Sequence, residues 1–211
     1  MKLSEAQLKQ IEEAVKAAER TTRGEIVPVV IAQAREYPEA WLLLALAGGV
    51  ASGLASFAAH ELWGAGWSLT VGRFALEVLL GSALGLLAGL SATLRRLAVG
   101  REDLAEAVSI RAAAEFTRHG VMNTGDRCGV LLFVSLFEHR AELVADRGIH
   151  SAVPSGYWQA ELDRMMVEVH AQGLAAALCS GITRIGALLS ERFPREAGTT
   201  NELADTLRRG E

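Results

Sequence analysis

Three carboxylates stand where short apolar runs begin or end. Glu25 opens Glu25-Ile26-Val27-Pro28-Val29-Val30-Ile31, Asp126 lies just ahead of Gly129-Val130-Leu131-Leu132-Phe133-Val134-Ser135, and Asp146 closes Ala141-Glu142-Leu143-Val144-Ala145. Oxygen ligands of this kind suit a hard cation, calcium or magnesium. Arg127, next to Asp126, is the side chain that would orient a phosphate if such an ion activated water. The competing reading is that these are ordinary strand-end acids, solvated or paired with Arg127 and Arg147. Neither GxSxG, a Walker loop nor HExxH occurs in the chain. An enzyme ordinarily shows a nucleophile or base beside an orienting partner, and these acids offer ligands at best. His139 and His150 are separate loop histidines, expected to be solvated, and His60 falls between two apolar stretches. Cys128 and Cys179 have no CxxC spacing and are expected to be reduced packing residues.

Whether the acids meet depends on the strands that carry them. The runs 25–31, 129–135 and 141–145 are short, apolar and rich in β-branched residues, as strands are. A polar turn at Glu138-His139-Arg140 makes the last two antiparallel neighbours, which brings the Asp126 loop beside Asp146. If 25–31 runs parallel to 129–135, through a crossover made by a helix over 102–119, Glu25 starts at the same end. Gly125 and Gly129 would then let the Asp126 loop bend back. Pro28 cannot donate to a ladder and hints at an edge or a bulge.

The helices follow from periodicity. Ser4 and Gln7 form a capping-box pair, followed by Leu8, Ile11, Val15 and Ala18 at helical spacing, so the chain opens on an amphipathic helix rather than a secretory signal. Leu104, Val108, Ala112 and Phe116 keep the same spacing through 102–119. A helix over Trp158–His170 turns Leu162, Met165, Met166 and Val169 inward, and another runs from Leu174 to Arg192, stopped by Pro194. Residues 195–211 are polar and aperiodic, which predicts a loose tail.

Between these soluble patterns the character changes. Residues 41–59 contain no charge, and at the helical rise they span about 28 Å, close to the thickness of a bilayer core. Residues 74–94 contain one charge, Glu77, near the end of the stretch. The connector holds Trp63 and Trp67, which suit a membrane interface. Small residues recur in both spans, with Gly49 and Gly53 in the first and Gly81, Gly85 and Gly89 in the second, the spacing that lets membrane helices approach closely. Arg35, Arg95, Arg96 and Arg101 flank the pair on one side against Arg73 on the other, so the positive-inside rule places both termini and the α/β domain in the cytoplasm.

Composition agrees with a mixed protein. Half of the 211 residues are hydrophobic, high for a soluble domain and low for a polytopic transporter. The net charge of −4 comes from scattered charges of both signs, without the basic stripe that nucleic-acid binding needs.

The stretches TTRGEIVPVVI (21–31), AAEFTRHGVMNTGDRCGVLLFVS (113–135), AELVADRGIHSAV (141–153) and RFP (192–194) resemble the TPM-domain family, in particular its bacterial subgroup whose domain is split by a membrane hairpin. The resemblance covers nearly the whole chain outside 36–98. It implies a short sheet sandwiched by helices, divalent-metal binding in some members, and a phosphatase activity proposed for the family. Two departures weaken any transfer of catalysis. Cys128 stands where asparagine is common, and Asp146-Arg147-Gly148-Ile149-His150 replaces a Gly-Tyr-Gly-Leu-Glu stretch.

The expected architecture is therefore an α/β domain in two parts, 1–35 and 99–194, around a transmembrane hairpin inserted at 36–98, in a bacterial inner membrane. The leading expectation for function is a membrane-anchored interaction or assembly module acting in envelope upkeep, with divalent-metal binding as an added property. Its partners would be the bilayer, other membrane or envelope proteins, or a second copy, and not nucleic acid. The alternative is a metal-dependent phosphatase.

Overall fold

A computed structural model describes residues 3–64, 70–124, 126–154, 156–196 and 201–210, so the features expected of Trp67 and Gly125 lie outside the described residues. The fold is mixed α/β, a small four-stranded sheet flanked by helices. The chain divides into two compact units, residues 1–34 with 105–211, and residues 35–104.

In the first unit, α1 (Glu5–Glu19) opens with the expected capping box, in which the Ser4 side chain accepts from the Gln7 amide and the Gln7 side chain accepts from the Ser4 amide. Strand β1 (Glu25–Ile31) follows, and the unit resumes along α5 (Arg101–Arg118). After it come β2 (Gly129–Ser135), β3 (Arg140–Ala145), the one-turn α6 (Arg147–His150), α7 (Tyr157–Gln172), α8 (Leu174–Arg192) and β4 (Arg208–Gly210). The strand order is β3-β2-β1-β4. β1 runs parallel to β2, with Glu25 opposite Gly129, and β2 runs antiparallel to β3, with Val130 opposite Ala145.

Every residue of β1 and β2 is buried, as expected of strands covered on both faces. Ile26, Val30, Val130, Leu132 and Val134 pack on one face with Ile11 and Val15 of α1, Leu162 and Met165 of α7, and Leu178, Ile182 and Ile185 of α8. Val27, Val29, Leu131 and Phe133, on the other face, are at most 1% exposed. Val108 and Ala112 of α5 are buried to the same degree, and α5 contributes nothing to the first cluster.

Two expectations are corrected here. The polar tail is not loose throughout, because Arg208–Gly210 adds a parallel strand to β1. No apolar period announces it, since three residues held by backbone bonds need none. Pro28 is not on an edge strand, because β1 lies between β2 and β4. The Glu25 amide donates to Cys128 on the β2 side and the Ile26 amide to a Glu19 oxygen on the other. By alternation Pro28 faces away from β2, and β4 begins only opposite Val29, so no ladder bond is lost.

The second unit holds α2 (Pro38–Trp63), α3 (Val71–Ala88) and α4 (Ala92–Ala98). The apolar stretch 74–94 is thus not one helix. Successive amides at Gly89, Leu90 and Ser91 donate to carbonyls three residues back, which tightens the last turn of α3 and ends it. The paired small residues face each other across the hairpin. A Cβ on Gly81 would collide with the Gly48 carbonyl, one on Gly85 with the Leu44 carbonyl, and one on Gly89 with the Trp41 ring. Gly49 faces Ser82 and Val78, and Gly53 faces Phe74 and Val78. Gly48, which the spacing argument passed over, makes one of the closest approaches of all.

Among the described residues three helices are long and apolar enough to cross a membrane: α2, α3 and α8. Half of the most apolar stretch of α8 is buried within the protein, against 11% for α2 and α3. Apolarity in α8 is therefore accounted for by the domain core.

Candidate functional site

The starts of β1 and β2 and the end of β3 lie at one end of the sheet, so the strand argument for Glu25, Asp126 and Asp146 holds at the level of topology. Their side chains do not converge. Among the described residues no group of three His, Cys, Asp or Glu could hold a metal ion. Each of the three acids expected as calcium or magnesium ligands has a partner of its own.

Asp146 is the N-cap of α6, where its Oδ1 accepts from the Arg147 amide at 2.6 Å. Its Oδ2 is buried and makes no hydrogen bond. Asp126 is exposed on its loop and lies 3.5 Å from the Arg23 guanidinium, which also binds Glu196 at 3.0 Å and stacks over the Phe193 ring. Arg127, the expected phosphate-orienting residue, is exposed and held at a φ of 54°. Its carbonyl packs against Gly148, where a Cβ would sit 2.7 Å from the oxygen. Thr124 and Cys128 secure the loop, the Thr124 hydroxyl accepting the Cys128 amide and the Cys128 thiol donating to the Asp126 carbonyl. Burial pushes the Cys128 thiol up from its usual range, so it stays protonated and serves as packing.

Glu25 belongs to a different neighbourhood. It is 5% exposed, and its Oε1 accepts the Glu202 amide of the tail at 3.0 Å. Beside it Glu19, 8% exposed, accepts the Ile26 amide at 2.8 Å. Burial pushes the Glu19 carboxyl up to about 8, and the neighbouring Glu25 and Asp205 add to the shift. Burial likewise raises Glu25, against the lowering effect of the Glu202 and Leu203 amides. With its carboxyl at about 8, Glu19 stays protonated near neutral pH and does not offer a strong cation ligand. Sequence reasoning missed Glu19 and Asp205. Glu19 sits on the helical face of Ile11, Val15 and Ala18, four positions after Val15, and that is the one signal that could have found it.

The likeness of this chain to known proteins is confined to its fold. No family model matches it, and no curated protein matches it. The solution structure of the BA42 protein from the psychrophilic bacterium Bizionia argentinensis is similar, with a TM-score of 0.61 and 18% sequence identity over 100% of this chain and 97% of that one.

Proposed function

We propose that this protein is a membrane-anchored α/β module of the TPM type, tethered by α2 and α3 and acting through interactions of its α/β domain rather than through catalysis. The observation that carries the anchor is the inversion of the hairpin's surface. Leu42, Leu46, Leu54, Leu79, Leu84, Leu87 and Leu90 are 60–71% exposed, whereas Gly49, Gly53, Ser56, Gly81 and Gly85 are buried between the helices. In water such a surface would aggregate; in lipid it is the expected arrangement. Arg35 over the Tyr37 ring and Arg95 over the Trp41 ring place cationic and aromatic groups together near the hairpin's open end. Arg73 is the single arginine or lysine of the connector side against Arg35, Arg95, Arg96 and Arg101 on the other, the charge bias expected of a cytoplasmic domain in a bacterial inner membrane.

The preference for interaction over catalysis rests on the acids at the sheet end. Asp146 caps a helix, Glu25 holds the tail and Glu19 takes the amide that no strand receives, so each has a structural task. A phosphatase reading would need a metal that these side chains do not assemble to hold. Its partners would be the bilayer and other membrane or envelope proteins. Two measurements test the proposal. The protein should stay in the membrane pellet after alkaline carbonate extraction, and a reporter fused into the connector should read as periplasmic. Extraction into the soluble fraction removes the anchor. A purified sample that hydrolyses a phosphate ester at a rate abolished by Asp126→Asn would replace the interaction reading with the enzymatic one.

A further inference from the structure

β3 is an edge of the sheet, with β2 on one side and no strand on the other among the described residues. Its backbone alternates between those two sides. The Asp146 amide donates to the Gly129 carbonyl at 2.9 Å, so Arg140, Glu142, Val144 and Asp146 turn their amides and carbonyls to β2. Ala141, Leu143 and Ala145 turn theirs outward, and among the described residues these outward groups make no hydrogen bond.

The two edges of the sheet are not alike. β4 is three residues long and carries Arg208 and Arg209, the short and charged form that resists pairing. β3 runs six residues, Arg140–Ala145, without proline or glycine. It is half-buried along its whole length, whereas β1 and β2 are buried. An edge of this kind is a template for another strand.

The edge is complementary to itself. In an antiparallel pair of copies, outward residues must face outward residues. Centred on Leu143, the pairing sets Leu143 against Leu143 and Ala141 of each copy against Ala145 of the other, so all the outward groups are used. Glu142 then faces Val144. Arg140 of each copy lies opposite Asp146 of the other, charges of opposite sign, while both keep their partners within their own chain. A shift to a centre at Glu142 sets that carboxylate against itself, and a shift to Val144 sets it against Asp146. Either shift leaves outward groups unpaired and opposes like charges, which destabilises a strand pair. We infer that β3 pairs antiparallel with β3 of a second copy about a twofold axis at Leu143, joining the two sheets into one. The pairing rests on the interaction reading above, of which it names the partner.

The test is sedimentation equilibrium of the full chain in density-matched detergent micelles, with residue-resolved hydrogen exchange over 140–146. A reversible dimer is expected, in which the amides of Ala141, Leu143 and Ala145 exchange more slowly as concentration rises. Ala141→Pro removes an outward donor without touching a bond to β2, and should weaken the dimer by at least about tenfold. Val144→Glu opposes a carboxylate to Glu142 at both ends of the pair and should weaken it by about tenfold. Adding Glu142→Lys to that variant turns both contacts into opposite-charge pairs and should restore the dimer. If Ala141→Pro fails to fold, the charge variants decide. The inference is overturned by a chain that stays monomeric at every concentration, or by a folded Ala141→Pro or Val144→Glu protein that pairs like the unaltered chain. A charge reversal that restores nothing overturns it too, as does slowed exchange at 141–145 in a monomer, which would give the edge to a different occupant. Carbonate extraction reads the anchor and not β3, so the membrane reading and the pairing fail separately.

Discussion

Replacing Gly85 by alanine should loosen the hairpin by about 2 kcal/mol, the result of a clash that cannot be relieved by a side chain moving aside. A Cβ at Gly85 would lie 2.8 Å from the Leu44 carbonyl carbon and 3.0 Å from the Ala45 Cα, with the Leu44 oxygen closer still. All of these are backbone atoms of α2. Carbon atoms pack at about 3.5–4.0 Å, so the helices must part by roughly 1 Å along the seam. A gap of that size forfeits a quarter to a half of each contact's ~0.1–0.2 kcal/mol, and a seam of about 40 atom pairs then loses about 2 kcal/mol. Gly72, also in α3, has nothing within 4 Å of where its Cβ would be. Gly72→Ala should therefore change stability by no more than about 0.5 kcal/mol. Denaturant titration in mixed micelles, followed by tryptophan fluorescence, measures both, because Trp41 packs on Gly89 in the same seam. Equal effects of the two substitutions would mean that the close approach contributes nothing and that these glycines are there for composition alone.

Four further outcomes are expected. Because Glu19 titrates near 8 in the folded protein, well above its ordinary value of 4.5, the folded state keeps a proton that the unfolded chain has lost between those two values. Stability contributed at low pH should therefore fall across that window, by up to about 1.4 kcal/mol per pH unit, and Glu19→Gln should flatten the slope in pH-dependent melting. Truncation after Glu196 removes β4 and the Glu202 amide from Glu25, and should lower unfolding free energy by about 1–3 kcal/mol in denaturant melts. Calcium or magnesium at millimolar levels should leave the melting temperature unchanged; a rise that Asp126→Asn removes would restore the metal site. Deleting residues 36–98 and bridging the ends with a flexible linker should give a soluble protein with dispersed amide resonances, since β1 and β2 pair across the deletion; an unfolded product would refute the split domain.

Much of this fold was legible because burial writes itself into sequence period. β1 and β2 are buried along their whole length and read as unbroken apolar runs, so the shared end of the sheet at which both start followed once parallel pairing was assumed. The helices α1, α7 and α8 were placed by the spacing of their inward residues. β4 was not legible, because Arg208-Arg209-Gly210 is held to β1 through backbone bonds that any sequence can make. The break at Gly89 was hidden for a related reason. An apolar stretch keeps its composition whether its last turns are straight or tightened, and only the bonding pattern distinguishes them.

The candidate site shows the sharper limit. Topology brought three acids to one end of the sheet, but a strand-end position fixes where a side chain starts and not which donor it meets. Glu25 was taken by an amide 177 residues away, Asp146 by the helix it caps, and Asp126 by Arg23. Each partner is a backbone donor or a long flexible cation, and neither leaves a trace in local spacing. An acid cluster read from strand ends is therefore a weak predictor of a metal, because such a position says where a side chain starts and nothing of the donor that claims it.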